Sequence, residues 1–451
     1  MTDVQGKRVL VVGLGKSGIS AVRLLHARGA KVVANDVREA AALGDSVDEL
    51  RALGAELALG GHDPELFRGV DQIVLSPGVP PLAALAAADR AGVPIASEVE
   101  LASWFIDATV IGITGTNGKS TVTTLVGEMC EQTGRPTFVG GNLGTPLCDV
   151  VNTPAAHGGY VVVELSSYQL ERVSELHVQV GALLNISEDH LDRYASFAEY
   201  TAAKANLFRC QRAGDAAVIP ADDALCAQLA AAGPARVHRF GGTAGTVRVE
   251  AGQLIDEVSG PLLQVSALKM RGAHNLDNAC AAALLARLAG VTVEPIRKVL
   301  RSFSGLPHRM QHVADIDGVG YFDDSKATNV GASVAALDGL APSVQRIVLI
   351  AGGKDKGGDY APLFERLKRC ARAVIVIGEA RPIIQRALAG AAFPVATAES
   401  LEAAVSQARA LAQPGDAVLL APACASFDMF KSYADRGDVF QSAVQRLHGG
   451  A

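Results

Sequence analysis

Gly115-Thr116-Asn117-Gly118-Lys119-Ser120-Thr121 puts two glycines, a lysine and neighbouring hydroxyls between the apolar run 108–114 and an apolar, helix-compatible segment. That is the context a phosphate-cradling loop needs. A strand delivers the chain to a tight turn, glycines let backbone N–H groups close on phosphate oxygens, Lys119 adds a cation and Ser120 a hydroxyl for Mg2+. The following helix turns its positive end toward the anion. The position five before Gly118 is Ile113 where the strict pattern has glycine. The strand-loop-helix context therefore carries the reading more than the bare pattern does. It predicts a nucleoside triphosphate site and a chain that spends ATP.

A second glycine run, Gly13-Leu14-Gly15-Lys16-Ser17-Gly18, follows the apolar stretch 9–12, and Asp36 ends the next predicted strand. This is the dinucleotide fingerprint, in which glycines make the turn and an acid takes a ribose hydroxyl. The bland alternative is a tight turn that binds nothing. A third loop, Ser76-Pro77-Gly78-Val79-Pro80, also follows a predicted strand. Ligands of open α/β sheets collect at the carboxyl ends of strands, where Gly15, Asp36 and Ser76 would converge. A dehydrogenase has no need of an ATP loop a hundred residues later. A nucleotide serving as a handle on a substrate suits both motifs better.

Two carboxylate signals follow. The strand 160–164 ends in Glu164, the position at which P-loop proteins place an acid for Mg2+. Glu188-Asp189-His190-Leu191-Asp192, after the predicted strand 180–186, reads as a second metal or phosphate position. Lys204 is subtler. Ser196 and Glu199 form a capping box that predicts a helix start, and Phe197, Tyr200, Leu207 and Phe208 then share one helical face with Lys204. A buried ammonium needs a carboxylate partner or a chemical reason, unless the side chain snorkels to the surface.

The elements that must position these residues are short apolar runs alternating with helix-length segments. Besides the strands named above, runs 31–35, 72–75, 320–323, 346–351, 373–377 and 416–422 read as strands, and Gly241–Gly252 as a turn region. The pattern predicts an α/β protein of three domains. These are a Rossmann-like N-terminal domain over 1–98, a P-loop ATPase-like central domain with a mainly parallel sheet over 99–305, and a Rossmann-like C-terminal domain over 306–451. A net charge of −6 gives no basic surface for nucleic acid or anionic lipid. Seven scattered cysteines without a C-x-x-C pair read as reduced thiols in a cytoplasm. No apolar run approaches the ~18 residues of a membrane span. A monomer is expected.

Together these residues resemble the Mur ligases, ATP-dependent amide-bond-forming enzymes of peptidoglycan precursor synthesis, over nearly the whole chain. Gly115–Thr121 is similar to that family's phosphate loop, which folylpolyglutamate synthetases share. Three stretches resemble the branch that adds D-glutamate: Glu164-Leu165-Ser166-Ser167-Tyr168-Gln169-Leu170, Asp323-Asp324-Ser325-Lys326-Ala327-Thr328-Asn329 and Pro422-Ala423-Cys424-Ala425-Ser426. The resemblance implies UDP-N-acetylmuramoyl-L-alanine and D-glutamate as substrates, with a UDP-substrate domain, an ATPase domain and an amino-acid domain in that order. The D configuration is inherited from the likeness alone.

The family's roles then fall on residues of this chain. The UDP substrate would meet Gly15, Lys16, Ser17, Asp36, Arg38, Ser76 and Gly78, with Asn142 on the muramoyl side. ATP would meet the whole loop Gly115–Thr121, Asn275, Asn278, Arg309 and Asp324. Two Mg2+ ions would use Ser120, Glu164, His190 and Lys204. Lys204 matches a lysine that the family carries as a carbamate. Desolvation favours the neutral amine that reacts with CO2, and the anion formed would sit beside Mg2+. Lys326, Thr328, Lys356, Ser426 and Tyr433 would bind glutamate, with tyrosine at 433 where the likeness leads one to expect phenylalanine. Lys119, His190, Lys204 and Lys326 would carry the catalysis. Rival readings are a P-loop switch, an NAD-dependent oxidoreductase built on Gly13–Gly18, and a ligase for another amino acid.

Overall fold

The structure is a computed structural model and describes residues 3–190, 193–270 and 272–448. It contains three sheets in two compact units. One unit is Met1–Ile186 with Ala198–Ala267 and Asp277–Arg301. The other is Ser187–Phe197 with Leu268–Leu276 and Ser302–Ala451.

The first unit holds two sheets. β1 (Arg8–Val12), β2 (Lys31–Asp36), β3 (Glu56–Leu59), β4 (Gln72–Leu75) and β5 (Ile95–Ser97) form a parallel sheet in the order β3-β2-β1-β4-β5. The order reverses at β1, which opens a crevice at the carboxyl ends of β1 and β4. β1, β2 and β4 are the strands that the apolar runs predict. β3 and β5 are not, because β3 has no fully buried residue and β5 has only three residues.

The second sheet comprises β6 (Asp107–Thr114), β7 (Thr137–Gly141), β8 (His157–Glu164), β9 (Val180–Leu183), β10 (Ala216–Pro220), β11 (Arg236–Phe240), β12 (Val247–Glu250), β13 (Gln253–Asp256) and β14 (Gly260–Gln264). Their order is β14-β13-β12-β11-β10-β9-β6-β8-β7, parallel except for the antiparallel β12-β13-β14 edge. Two expectations need correction. β9 stops at Leu183, three residues short, because its neighbour β6 ends at Thr114 and Asn185 hydrogen-bonds to the phosphate loop instead. The stretch Gly241–Gly252 is not one turn region. It contains β12, and only its ends turn, with Ala251 and Gly252 at positive φ between β12 and β13.

Both sheets of this unit share one apolar core, in which Val9, Val11 and Leu25 join Leu147, Val150, Val161 and Leu207. Glu98 is fully buried within this region. Its Oε1 accepts the Cys148 N–H at 2.6 Å, while Oε2 has no hydrogen-bond partner. Burial pushes the Glu98 carboxyl up to about 7, against the pull of the Cys148 hydrogen bonds. A carboxyl raised above its unfolded value costs stability as pH climbs from the unfolded value through the folded one, because only the unfolded chain ionises there. Glu98→Gln should therefore stabilise the protein more at pH 8 than at pH 5, by about 1.4 kcal/mol for each pH unit between the unfolded and folded values that this range spans. Thermal melts at the two pH values check this, and an equal shift at both contradicts it.

The second unit holds β15 (Gln311–Ile316), β16 (Val319–Asp323), β17 (Ile347–Gly352), β18 (Ala371–Ile377), β19 (Val395–Thr397) and β20 (Ala417–Leu420) in the order β15-β16-β20-β17-β18-β19. All pairs are parallel except β15 with β16. Alternate residues of β17 enter opposite cores: Ile347, Leu349 and Ala351 on one face, Val348 and Ile350 on the other. Burial on both faces explains why these strands read as continuous apolar runs. β20 ends at Leu420, before the expected 422, where Pro422 has no N–H to donate.

Among the described residues no helix is long and apolar enough to cross a membrane, and all seven cysteines are free thiols.

Candidate active site

In the first unit a cleft of about 380 Å³ opens over the carboxyl ends of β1, β2 and β4. It brings together Gly15, Lys16, Ser17, Asp36, Arg38, Ser76 and Gly78. Gly13 has φ +86, and a Cβ there would lie 2.6 Å from Val79 Cγ2. A Cβ on Gly18 would lie 1.8 Å from the Gly13 carbonyl oxygen, so helix Lys16–Ala27 can approach this turn only with glycine. A Cβ on Gly15 would meet nothing within 4 Å. Ser76 closes the floor by donating its hydroxyl to Gly13 O at 2.7 Å.

Asp36 behaves differently from the fingerprint acid. Its Oδ1 accepts the Arg38 N–H and Nε, each at 2.9 Å, and its Oδ2 accepts the Leu14 N–H and Arg38 Nη2, each at 2.7 Å. Burial alone would raise this carboxyl, but the Arg38 and Leu14 donors outweigh it and hold it at about 2. The oxygens expected to take a ribose hydroxyl are thus engaged from within the chain. With two hydrogens on each oxygen, Asp36 fixes the half-exposed Arg38 guanidinium and the Leu14 backbone. His62, which the sequence reading missed, also lines the cleft. Its Nδ1 lies 2.7 Å from Asn35 Oδ1, while Asn35 Nδ2 donates to Ala58 O and Gly61 O.

The phosphate loop joins β6 to helix Lys119–Glu131. Gly115 (φ +150) and Gly118 (φ +83) take conformations that favour glycine, and a Cβ on Gly118 would also strike Asn278 Oδ1 at 2.4 Å. Asn278 therefore packs against the loop. Asn185 braces the loop's other side. Its carbonyl accepts the Thr116 N–H at 3.0 Å, its Oδ1 the Asn117 N–H at 2.8 Å, and its Nδ2 donates to Asn117 O at 3.0 Å. Lys119 Nζ donates to Gly115 O and Thr116 O, each at 2.8 Å. Ser120 and Thr121 are buried in the first helical turn.

Lys204 is 2% exposed, so it does not snorkel. Its helix, Phe197–Ala205, starts where the capping box predicts. Tyr200, Leu207 and Phe208 are buried with it, but Phe197 is only half-buried and leaves the expected stripe. Lys204 Nζ donates to Gly115 O at 2.8 Å and lies 4.8 Å from the centre of the Tyr200 ring, whose hydroxyl is 3.0 Å from Thr116 Oγ1. Two lysines thus converge on one carbonyl oxygen of the phosphate loop.

Glu164 is 3% exposed at the end of β8. Its Oε1 accepts Asn142 Nδ2 at 2.6 Å, and its main-chain carbonyl accepts the Asn142 N–H at 2.8 Å. Asn142 is therefore placed beside Glu164 and does not line the Gly13–Gly18 cleft. Glu164 Oε2 is buried without a hydrogen-bond partner. An orphaned carboxylate oxygen of this kind suits a hard cation.

In the second unit Asp189, of the acidic run after β9, is engaged by its neighbours. Asp189 Oδ1 lies 3.4 Å from Lys356 Nζ, and its Oδ2 accepts Asn329 Nδ2 at 3.0 Å and lies 3.7 Å from His190 Nε2. Among the described residues no group of three or more His, Cys, Asp or Glu is arranged to hold a metal ion. Leu191 and Asp192 lie outside the described residues. Lys326 Nζ sits 3.9 Å from the centre of the Tyr433 ring, and the Thr328 N–H donates to Lys326 O at 2.8 Å. Ser426 is buried on the loop after β20.

Asn275 and Arg309 line a cavity of about 660 Å³ with His274, His312 and Phe322. Arg309 is flanked by His308 (φ 58) and Met310 (φ 46), left-handed conformations that cost about 1–3 kcal/mol each and are held by surrounding structure. His308 Nδ1 pairs with buried Asp323 at 2.7 Å, and the Met310 N–H donates to Asp324 Oδ1 at 3.3 Å. Burial pushes the Asp324 carboxyl up to about 7 although Arg309 pulls it down.

Three family models match the chain: "Mur ligase MurD-like, N-terminal domain" over residues 7–97, "Mur ligase middle domain" over 113–286 and "Mur ligase, glutamate ligase domain" over 308–424. A protein of Geotalea daltonii named UDP-N-acetylmuramoylalanine--D-glutamate ligase is 43% identical, covering 99% of each chain. One of the same name from Myxococcus xanthus is 45% identical, covering 98% of this chain and 99% of its own. Among solved structures, a pseudomurein peptide ligase type C from Methanothermus fervidus superposes with a TM-score of 0.63 at 20% identity, over 98% of this chain and 100% of that one. A MurF ligase from Thermotoga maritima in complex with ADP gives 0.61 at 16% identity, over 99% and 96%. These two likenesses concern the fold alone. With identity above 40% along whole relatives and all three domain models in order, the chain belongs to the Mur ligase family.

Proposed function

We propose that this protein is an ATP-dependent amide-bond-forming ligase that adds D-glutamate to UDP-N-acetylmuramoyl-L-alanine in peptidoglycan precursor synthesis. The observation that carries the reading is 43–45% identity along the full length of relatives bearing that activity in their name. We divide the chain into a UDP-substrate domain (1–98), an ATPase domain (99–305) and a glutamate domain (306–451). In the reaction the L-alanine carboxylate attacks the γ-phosphorus of ATP, ADP leaves and an acyl phosphate forms. The glutamate amine then attacks the acyl carbon, loses a proton, and phosphate departs from the tetrahedral intermediate. The residues act by positioning and charge neutralisation: the Gly115–Thr121 backbone and Lys119 hold the phosphates, and Lys326 and Thr328 orient the incoming amino acid.

Magnesium fits the residues present. Ser120 and Glu164, with its orphaned Oε2, would hold it, and when bound it neutralises phosphate charge. We assign a second cation to Lys204 in its carbamate form and keep His190 in the metal set. The carbamate fits too, because its remaining N–H can still donate to Gly115 O. The test is ADP release with each component withheld in turn and with each glutamate enantiomer. Turnover without the UDP substrate, or with L-glutamate preferred, overturns the reading.

The cleft over β1 and β4 is assigned to the UDP moiety, with its diphosphate at the N-terminus of helix Lys16–Ala27. Glycine at position 15 is not required by the protein's own packing, so we assign that requirement to the ligand. Gly15→Ala should fold with an unchanged Tm and raise the KM for the UDP substrate about 10-fold or more, with a smaller change in kcat, as for lost uniform binding. Gly18→Ala should instead lower Tm. Unchanged KM in Gly15→Ala removes the nucleotide from this cleft.

A further inference from the structure

Arg436 lies in the first turn of helix Tyr433–His448 and is 0% exposed, one of the largest fully buried side chains of the protein. Its hydrogen bonds run to a hydroxyl and to carbonyls. Nε donates to Ser325 Oγ at 3.0 Å, Nη2 to Ser325 O at 2.8 Å, and Nη1 to Cys424 O at 3.2 Å and Ala425 O at 3.4 Å. Among the described residues no carboxylate lies within ion-pair distance of it. Burial holds the guanidinium down at about 10, although Cys424, Asp428 and Asp323 pull the other way.

The segments joined in this way have something in common. Ser325 precedes Lys326 and Thr328 on the loop after β16, and Cys424 and Ala425 precede Ser426 on the loop after β20. Ser325 Oγ also donates to Tyr433 O at 2.8 Å, which ties in the start of the helix that bears Tyr433. The loop after β17, which bears Lys356, is held as well. Lys354 and Ala425 exchange backbone hydrogen bonds at 2.9 and 3.0 Å, and a Cβ on Gly353 would lie 2.2 Å from Ala425 O and 3.2 Å from Arg436 Nη1. β16, β20 and β17 are adjacent in the sheet, so these loops meet over its carboxyl edge, where α/β sheets bind ligands.

We propose that Arg436 is the positioning residue of the glutamate site, a buried fork that sets the mutual register of the loops bearing Lys326, Thr328, Ser426, Lys356 and Tyr433. The inference rests on the assignment of those residues to glutamate. A buried cation is a poor way to gain stability alone, since apolar replacements of similar volume are often neutral or better. A planar guanidinium does what an apolar side chain cannot. It fixes carbonyls from two loops in one plane, and a lysine, with one charged nitrogen, cannot reproduce that fork. Arg436 itself touches no reactant and acts through the loops.

The experiment compares Arg436→Lys and Ser325→Ala with the unaltered protein. Ser325→Ala removes the acceptor of Nε and the tie to Tyr433 while adding no bulk. Steady-state constants are measured for D-glutamate, the UDP substrate and ATP, beside Tm. Both variants should raise the KM for D-glutamate about 10-fold or more, the effect of losing one or two charge-assisted hydrogen bonds. The KM for the UDP substrate should stay within about twofold, since that lost contact is not shared. Arg436→Ala should recover part of its glutamate affinity in millimolar guanidinium. Parallel losses in every constant together with Tm, or an unchanged KM for glutamate in a folded Ser325→Ala, overturn the proposal. Lys326→Ala and Thr328→Ala separate it from the reading beneath. If they leave the glutamate KM untouched, the glutamate-site assignment fails. If they raise it while Ser325→Ala and Arg436→Lys do not, Arg436 alone is misassigned.

Discussion

Lys119→Ala should lower kcat for amide formation by at least about 100- to 1,000-fold, the range for removing one preorganised charge-stabilising group, and leave UDP-substrate affinity nearly unchanged. Lys119 opens the helix after the phosphate loop, with its ammonium 2.8 Å from two loop carbonyls, while the cleft proposed for the UDP moiety belongs to a different sheet. The ammonium is thus already placed where transferring phosphate oxygens would gather. No rearrangement of a distant element is needed to bring it there, so its effect falls on the chemical step. Because Lys119 also ties Gly115 O and Thr116 O, the variant's fold must be checked by Tm and by calorimetric binding of the UDP substrate. Near-normal turnover in a folded Lys119→Ala would remove the loop from the mechanism. Loss of both turnover and UDP-substrate binding would mean that the lysine holds structure more than phosphate.

The parts of this site that were legible in the sequence are those whose backbone must be unusual. Gly13, Gly18, Gly115 and Gly118 are fixed by positive φ or by atoms that a Cβ would strike, and such constraints leave glycines at readable spacings. Strands buried on both faces, such as β17 and β20, announce themselves as apolar runs. What escaped were residues of ordinary type made special by contacts distant along the chain. Asn185 looked like part of a strand but braces the phosphate loop 68 positions away. Arg436 was singled out by no motif, yet its partner Ser325 is 111 positions away. Asp36 was legible as a residue of the cleft, but the sequence does not reveal that Arg38 engages both of its oxygens. Within the acidic run after β9, the pairing of Asp189 with Lys356 was equally hidden, since it spans 167 positions.

Lys204→Ala should fold and lose most activity, by about 100-fold or more if its carbamate helps to neutralise charge on the reacting phosphates. Both Lys204 and Lys119 place Nζ 2.8 Å from Gly115 O, so the two nitrogens are at most twice that distance apart. Lys204 is 2% exposed, and burial favours the neutral amine that reacts with CO2. Conversion of Lys204 to a carbamate would put an anion beside the Lys119 ammonium: the amine adds to CO2, a proton is released and an anion forms. The N–H that remains can keep the bond to Gly115 O, so the modification requires no displacement of the loop. The same anion, like the orphaned Glu164 oxygen in chemical character, would give Mg2+ the oxygen ligands that it prefers. Acetate or formate should partly restore Lys204→Ala, and 13CO2 should give a carbamate carbon resonance in the unaltered protein that the variant lacks. A folded Lys204→Ala with nearly full activity, or an unaltered, active protein without that resonance, would leave Lys204 as a buried structural lysine.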